Sequence, residues 1–556
     1  MSAPLAALVS LWKVSPPPEP NGRWVVPPGP RAFALAGMAA QLDRPLLVVV
    51  PGERDAEDLA DDLSLYVSDV SLMPAWETLP FEHLSPNAAT MARRAMARHR
   101  LAAGGAGTVV VGSVRAVIQR VSPSDPSPVT LRPGDDVDVS HLTDTLAVAG
   151  YDRTDRVEGR GEFAVRGGIV DVFAAQAEEP VRLDFWGDTI EEIRLFGVSD
   201  QRSRETVDLI EIYPAREFRA DADIAAAADR LVAEDPWNAS VWERIAEYQQ
   251  FAGMESWMPW LAPDRTLLDV ASDAALVVVD PSRAVDRSRD LRKEENDLAE
   301  ALAPTWGHGA PEAGEHPALF GDLQAGLSGR AHLEMPAIAA GPQDSVLAAT
   351  GFDATPGDPE SVTAAIQRLL AKGVAAVVAM DGEAAAERVG RVLADHGLIL
   401  ESKSELTRPQ PAILPVGVHR GFVLPELDVA VLGEQEIAGR RRAHRRAGTR
   451  RRTHAGAEYR DLRPGDYVVH HKHGIGRFEG MVSRTMAGVE RDYLVVAYAG
   501  DDKLYVPTDQ LAAVKKYTGG EAPRVSRMGG KEWSDTRSRV RKAVAAVAEE
   551  VVRLHR

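Results

Sequence analysis

Three groups of side chains in this 556-residue chain have the types and spacing for chemistry. His470-His471-Lys472-His473 brings three imidazoles within four positions, which invites a metal reading. Adjacent histidines on a strand point to opposite faces, however, and no carboxylate or cysteine is placed to complete a ligand set, so no metal is expected. Arg440, Arg441, Arg442, Arg445, Arg446, Arg450, Arg451 and Arg452 crowd one short segment. Such a run reads either as a solvated linker or as a transient contact to a DNA backbone. The third group is Val181-Arg182-Leu183-Asp184-Phe185-Trp186. At a period of two, Val181, Leu183 and Phe185 share one face, and Arg182, Asp184 and Trp186 the other. If the apolar set is buried, a tryptophan beside an arginine stands outside, the composition of an interface hot spot. Otherwise Trp186 packs under a neighbouring loop.

No constellation in the chain is catalytic. A nucleotide-binding α/β core needs a glycine-rich turn with Lys-Ser or Lys-Thr after its first strand, so that N–H groups and the lysine hold phosphates. Here the expected first strand, Arg23-Trp-Val-Val26, runs into Pro27-Pro-Gly-Pro-Arg31. The prolines remove backbone donors, and Arg31 is the only nearby cation. Neither a Gly-Lys-Ser/Thr triplet nor an Asp-Glu-x-His box occurs anywhere, so ATP hydrolysis by this chain is not expected.

Composition narrows the class further. A net charge of −18 makes non-specific DNA binding by the whole surface unfavourable. The absence of cysteine excludes disulfides and thiolate metal sites and fits a reducing cytoplasm. No run of 18 apolar residues is present, so no membrane span is expected. The N-terminus lacks a basic region ahead of its apolar stretch and is not read as a signal peptide. The preference for Ala and Arg points to a GC-rich genome.

The elements that must position these groups alternate in type. Residues 1–128 read as a parallel α/β layout. Pro45–Val50 and Gly107–Gly112 are its buried strands, Asp55–Leu65 is a helix, and Ser113 caps a helix running to Arg120. After a Pro/Ser-rich break, residues 129–214 read as an inserted antiparallel sheet. Its strands are Phe163–Phe173, Val181–Trp186 and, after a Gly187-Asp188 turn, Ile190–Phe196. Residues 215–346 return to helix around the strand Ala275–Val279, with a loop at 304–316. Residues 347–437 form a small α/β unit: helices Ser361–Lys372 and Gly382–His396, strands Val374–Met380 and Val429–Leu432. The Arg-rich linker spans 438–457.

Residues 458–530 then read as a compact all-β module. It carries Gly465-Asp-Tyr-Val-Val-His-His-Lys-His-Gly-Ile-Gly-Arg-Phe-Glu-Gly-Met481, with Tyr493–Tyr498 and Lys503–Pro507 as further strands. Gly474 and Gly476 are expected to supply backbone conformations closed to other residues. Residues 531–556 read as a helix with Val540, Val544, Val547, Val551 and Leu554 on one face. The chain stops inside that helix without a cap, which reads as a fragment of something longer.

The 465–481 motif and Lys503-Leu-Tyr-Val-Pro507 closely resemble the RNA-polymerase-interacting domain shared by CarD-type regulators and bacterial transcription-repair coupling factors. Arg166-Gly167 with Asp171-Val-Phe173, followed by Arg182-Leu-Asp-Phe-Trp-Gly-Asp188, resembles the domain with which UvrB and the coupling factors dock UvrA. The stretch Leu72–Pro86, with Trp76 and Phe81, is similar to one in the same proteins; its aromatic side chains are read as core.

The resemblance covers essentially the whole chain. It implies an α/β multidomain protein: a degenerate RecA-like, UvrB-like α/β module with an inserted antiparallel sheet domain, a small α/β domain, and a small CarD/Tudor-like β-barrel followed by a helix leading towards a motor. It implies the recruitment half of a transcription-coupled nucleotide excision repair factor, with RNA polymerase β subunit and UvrA as partners. Arg166, Arg182 and Trp186 would contact UvrA. Met481, Val482, Ser483, Arg484, Thr485 and Met486 would form the edge strand offered to polymerase. ATP, magnesium and double-stranded DNA belong to the full-length family; a monomer without cofactor is expected here. In the family the UvrB-like module is masked by the C-terminal part, so without that part the UvrA face is expected to stand open. The runner-up is a stand-alone CarD-like regulator with an unrelated N-terminal extension, and a third reading is a true UvrB-like repair helicase subunit, which the missing P-loop opposes.

Overall fold

The computed structural model describes residues 3–14, 22–78, 81, 84–302, 315–342, 344–439, 465–470, 474–486, 489–499, 503–507, 514–516 and 525. The arginine run 440–452, His471–His473 and the 531–556 segment lie outside them. The chain divides into two units, residues 1–444 and 445–556.

The first unit is built on a parallel sheet of apolar runs. Its order is Leu333–Met335, Ala275–Val279, Leu46–Val50, Val109–Ser113, Val70–Met73. All four neighbouring pairs are parallel. Every residue of the three central strands is buried, as expected for a sheet covered on both faces. The helices Glu53–Leu63 and Val114–Ile118 follow their strands as expected, the second capped by the Ser113 hydroxyl, which accepts from the Ala116 N–H. The expected first strand is different. Trp24–Val25 is only two residues long, pairs with Ser345–Val346, and meets the main sheet by a single bridge between Arg23 and Glu334. The prolines that follow it allow no continuation of a ladder.

The insertion enters through Val129–Leu131 and leaves through Ile210–Ile212, which pair antiparallel as a neck. Between them lies a six-stranded sheet, ordered Ser203–Thr206, Thr189–Phe196, Val181–Trp186, Ile169–Phe173, Glu162–Arg166, Asp152–Arg153. One face packs on the helix Val139–Val148 through Phe163, Val170, Val172, Leu183 and Ile193. The sequence run Phe163–Phe173 is therefore two strands, not one. It folds at Gly167, whose φ of +59° is open to glycine at no steric cost.

A second, four-stranded sheet closes the first unit: Ala412–Leu414, Ala375–Ala379, Val429–Leu432, Phe422–Leu424. It does not keep a separate core on both faces. Val377, Val429 and Phe422 join Phe33, Val48 and Val277 in one continuous cluster around the helix Arg31–Gln41. Phe33 stacks on Phe422 with ring centroids 5.6 Å apart.

In the second unit five antiparallel strands run in the order Lys503–Pro507, Val489–Ala497, Gly474–Met486, Tyr467–His470, Val514–Lys516. Val468, Phe478, Leu494, Val496 and Tyr498 form its core. Gly476 is required here by packing. A Cβ would overlap the Val496 side chain and crowd the Ala497 carbonyl. Positive φ falls instead on Gly465 and Gly480, the latter at a register shift opposite Val495.

Candidate protein-docking site

Two tight hairpins build the site. Arg166 pairs with Ile169 across Gly167-Gly168, and Trp186 pairs with Thr189 across Gly187-Asp188. Gly167 and Gly187 both have positive φ, as two-residue hairpin loops demand. Because both loops lie at the same end of the sheet, Arg166 and Trp186 stand on one rim.

Cross-strand register then fixes what surrounds them. Ala164, Asp171, Arg182 and Arg194 form one row; Arg166, Ile169, Asp184 and Glu192 form the next. Val181 and Leu183 are buried on the opposite face, and Trp186 is 77% exposed. The alternation therefore resolves in favour of an outward tryptophan.

The two arginines differ in station. Asp171 is fully buried. Arg182 grips it with both tines, Nε to Oδ1 at 2.7 Å and Nη2 to Oδ2 at 3.0 Å. Its guanidinium also lies 4.9 Å from the Phe196 ring centroid. Arg166 reaches the same carboxylate from the rim, with about half of its side chain in solvent. A bidentate, nearly buried pair orders this row of the sheet, and Arg166 remains the accessible cation. Composition alone did not flag Asp171 as the shared partner. The available signal was an acid inside the apolar run Ile169-Val-Asp-Val-Phe173, which must find a partner if buried.

Beside this row lies a shallow groove of about 620 Å³, lined by Gly168, Ile169, Asp184, Glu191, Glu192 and Arg194, among others. Arg194 donates to Asp184 and lies 3.3 Å from Glu192.

The usual ligand position of an open α/β sheet is the crevice outside its carboxyl ends. Here it is a cavity of about 270 Å³ between Val50 and Val279. Arg31, the cation expected there, is bound to Asp280 at 2.6 Å. His419 of the second sheet's region closes the side, with Nδ1 2.8 Å from Asp62 and Nε2 3.1 Å from Asp58. A Cβ at Gly29 would come within 2.5 Å of the Gly421 carbonyl, so the turn ahead of the Arg31–Gln41 helix packs closely on backbone. Trp76 and Phe81 are buried, as core aromatics. Among the described residues no group of three His, Asp or Glu converges on a possible metal position. No helix among them is long and apolar enough to cross a membrane.

In the β module, Met481–Met486 is the second half of the 13-residue strand Gly474–Met486. Its partner on one side is Val489–Ala497. On the other side Tyr467–His470 pairs only with residues 474–477. Among the described strands, the outer edge of residues 481–486 is unpaired.

Comparison with known proteins agrees with this layout. Residues 129–218 match the family of the UvrB interaction domain, and residues 462–518 match the CarD-like/TRCF RID domain. The transcription-repair-coupling factor of Mycobacterium tuberculosis is 34% identical over 96% of this chain and 47% of its own length. That of Myxococcus xanthus is 29% identical over 94% of this chain and 48% of its own, and that of Bacillus subtilis 27% over 94% and 47%. The chain spans about half the length of these relatives. Both domain matches fall in one chain, and nearly all of that chain is similar to about half of a transcription-repair-coupling factor.

Proposed function

We propose that this chain is a two-partner adaptor of transcription-coupled nucleotide excision repair. Residues 129–214 dock UvrA and residues 458–530 dock the β subunit of RNA polymerase. Residues 1–128 and 215–346 act as a degenerate RecA-like, UvrB-like support, 347–437 as the small α/β domain fused to it, and 438–457 as the linker. The β module takes the CarD/Tudor-like barrel role, and residues 531–556 the helix that leads on. The observation that carries the reading is the joint presence, in one chain, of a UvrB interaction domain and a CarD-like/TRCF RID domain. Similarity to coupling factors over 96% of the chain also leaves no unrelated N-terminal extension for a stand-alone regulator.

On the UvrA side, Trp186 is the anchor and Arg166 the accessible charge, with Arg182 shaping the surface beneath them. On the polymerase side, Met481, Val482, Ser483, Arg484, Thr485 and Met486 offer main-chain N–H and C=O groups to an added strand, with affinity from the backbone ladder. ATP turnover is not part of the proposal, since the crevice holds an Arg31–Asp280 ion pair and the sequence lacks a phosphate loop. The arginines 440–452 remain candidates for a transient DNA contact. The adaptor acts as a monomer in the cytoplasm.

Titration against purified UvrA tests the docking assignment. Removing an exposed aromatic anchor costs about 2 kcal/mol or more, roughly thirtyfold in Kd. Trp186→Ala should therefore lose UvrA and retain the polymerase β lobe. Unchanged UvrA affinity in that variant would move the docking site off this rim.

A further inference from the structure

The groove beside Trp186 has a local irregularity that the adaptor reading does not use. In the Thr189–Phe196 strand, Ile190 pairs with Phe185 and Glu192 with Asp184, so Glu191 is an extra residue. A bulge of this kind leaves its extra residue outside the ladder and re-aims a side chain. Glu191 is exposed and lines the groove together with Glu192 and Asp184.

The charges do not balance. Three carboxylates line the groove against one cation, Arg194. Arg194 is already committed, donating to Asp184 and lying 3.3 Å from Glu192. No ion-pair partner for Glu191 is present among the described residues. The groove also has an apolar wall at Ile169 and a backbone wall at Gly168, where a Cβ would come within 2.9 Å of the Phe185 carbonyl. On the rim stands Trp186, and across it the opposite charge, Arg166.

We infer that this groove is a second recognition point on the same docking face, and that Glu191 receives an arginine side chain of UvrA. The inference rests on the UvrA reading of residues 129–214. A guanidinium suits the site. Its planar fork can meet more than one carboxylate, and its weak hydration tolerates the wall at Ile169. A cation at Arg166, an aromatic at Trp186 and an anion at Glu191 make a two-sign pattern that fixes the partner's orientation and rejects a reversed one.

The test is UvrA binding by the whole chain at two salt concentrations, with wild type, Glu191→Gln, Glu191→Lys and Trp186→Ala. Glu191→Lys should weaken Kd by about tenfold or more and Glu191→Gln by about threefold, mostly at low salt. Both should unfold at the wild-type temperature. Glu191→Lys binding within twofold of wild type, while Trp186→Ala loses binding, would overturn the inference and leave the docking face standing. Wild type failing to bind UvrA would remove the docking reading and this inference with it.

Discussion

At the scale of residues, Asp171 decides how the proposed docking face must be probed. Its buried carboxylate holds Arg182 by two hydrogen bonds and Arg166 by one. Removing Arg182 leaves the buried carboxylate with Arg166 alone and without its bidentate partner, which costs up to about 3 kcal/mol. Arg166 is half in solvent, and its loss should cost about 1 kcal/mol or less. Thermal unfolding should therefore separate Arg182→Ala, strongly destabilised, from Arg166→Ala, nearly unchanged. Equal melting temperatures would contradict this division of labour. A binding defect in Arg182→Ala alone consequently says little about contact with UvrA.

Glu295 offers a pH test at the same scale. Burial pushes its carboxyl up to about 7, against the lowering effect of the Leu319 and Phe320 N–H groups that it accepts. The folded state thus binds a proton that the unfolded state releases near the ordinary carboxylate range. This stability is present at low pH and is lost as pH rises from about 4.5 towards 7. Denaturant titrations at pH 5.5 and 7.5 should show the first unit weaker at the higher pH, by an amount that shrinks in Glu295→Gln. A pH difference of the same size in the variant would remove Glu295 as its source.

At the scale of elements, the first unit is held by a shared core and a polar clasp. Helix Arg31–Gln41 is enclosed by the parallel sheet and the mixed four-stranded sheet, and His419 ties the second sheet's loop to Asp58 and Asp62 on helix Glu53–Leu63. His419→Ala leaves two carboxylates facing the loop without this partner. It should speed hydrogen exchange in the Phe422–Leu424 strand and lower stability by about 1–3 kcal/mol. Unaltered exchange there would show that the apolar core alone holds the two sheets together. In the β module, Gly476→Ala should be destabilising by a similar amount, about 1–3 kcal/mol, through overlap with Val496.

What was legible at this scale follows from range of interaction. Leu46–Val50, Ala275–Val279 and Val429–Leu432 are continuous apolar runs, and their burial on both faces is written locally. Alternation with Val181 and Leu183 left Trp186 either outward or under a neighbouring loop, and its exposure decides for outward. The hairpin inside 163–173 was signalled by Gly167-Gly168, which a run of β-branched neighbours obscured. Pairing of Val129–Leu131 with Ile210–Ile212 was not legible, because nothing local to either strand names a partner some eighty residues away. The same holds for Asp171 as the hub of Arg166 and Arg182, and for the bulge at Glu191, which only the register with Phe185 and Asp184 exposes.

At the scale of the whole molecule, the proposed function rests on two surfaces. Arg31 and Asp280 neutralise each other where an α/β sheet usually meets its ligand. Among the described residues, the features the proposal uses are a charged, aromatic rim in the first unit and an unpaired strand edge in the second. Each suits a protein partner, and the chain joins them covalently. Linking two binding modules raises the effective concentration of one partner near the other without new contacts. The central claim is therefore that one molecule holds both partners at once. The most direct measurement captures the chain on an immobilised polymerase β lobe and then adds UvrA. The account predicts a second mass increment on the wild-type chain, absent with Trp186→Ala although that variant is captured normally. Capture of the wild-type chain followed by no UvrA increment, or by its displacement, would contradict it.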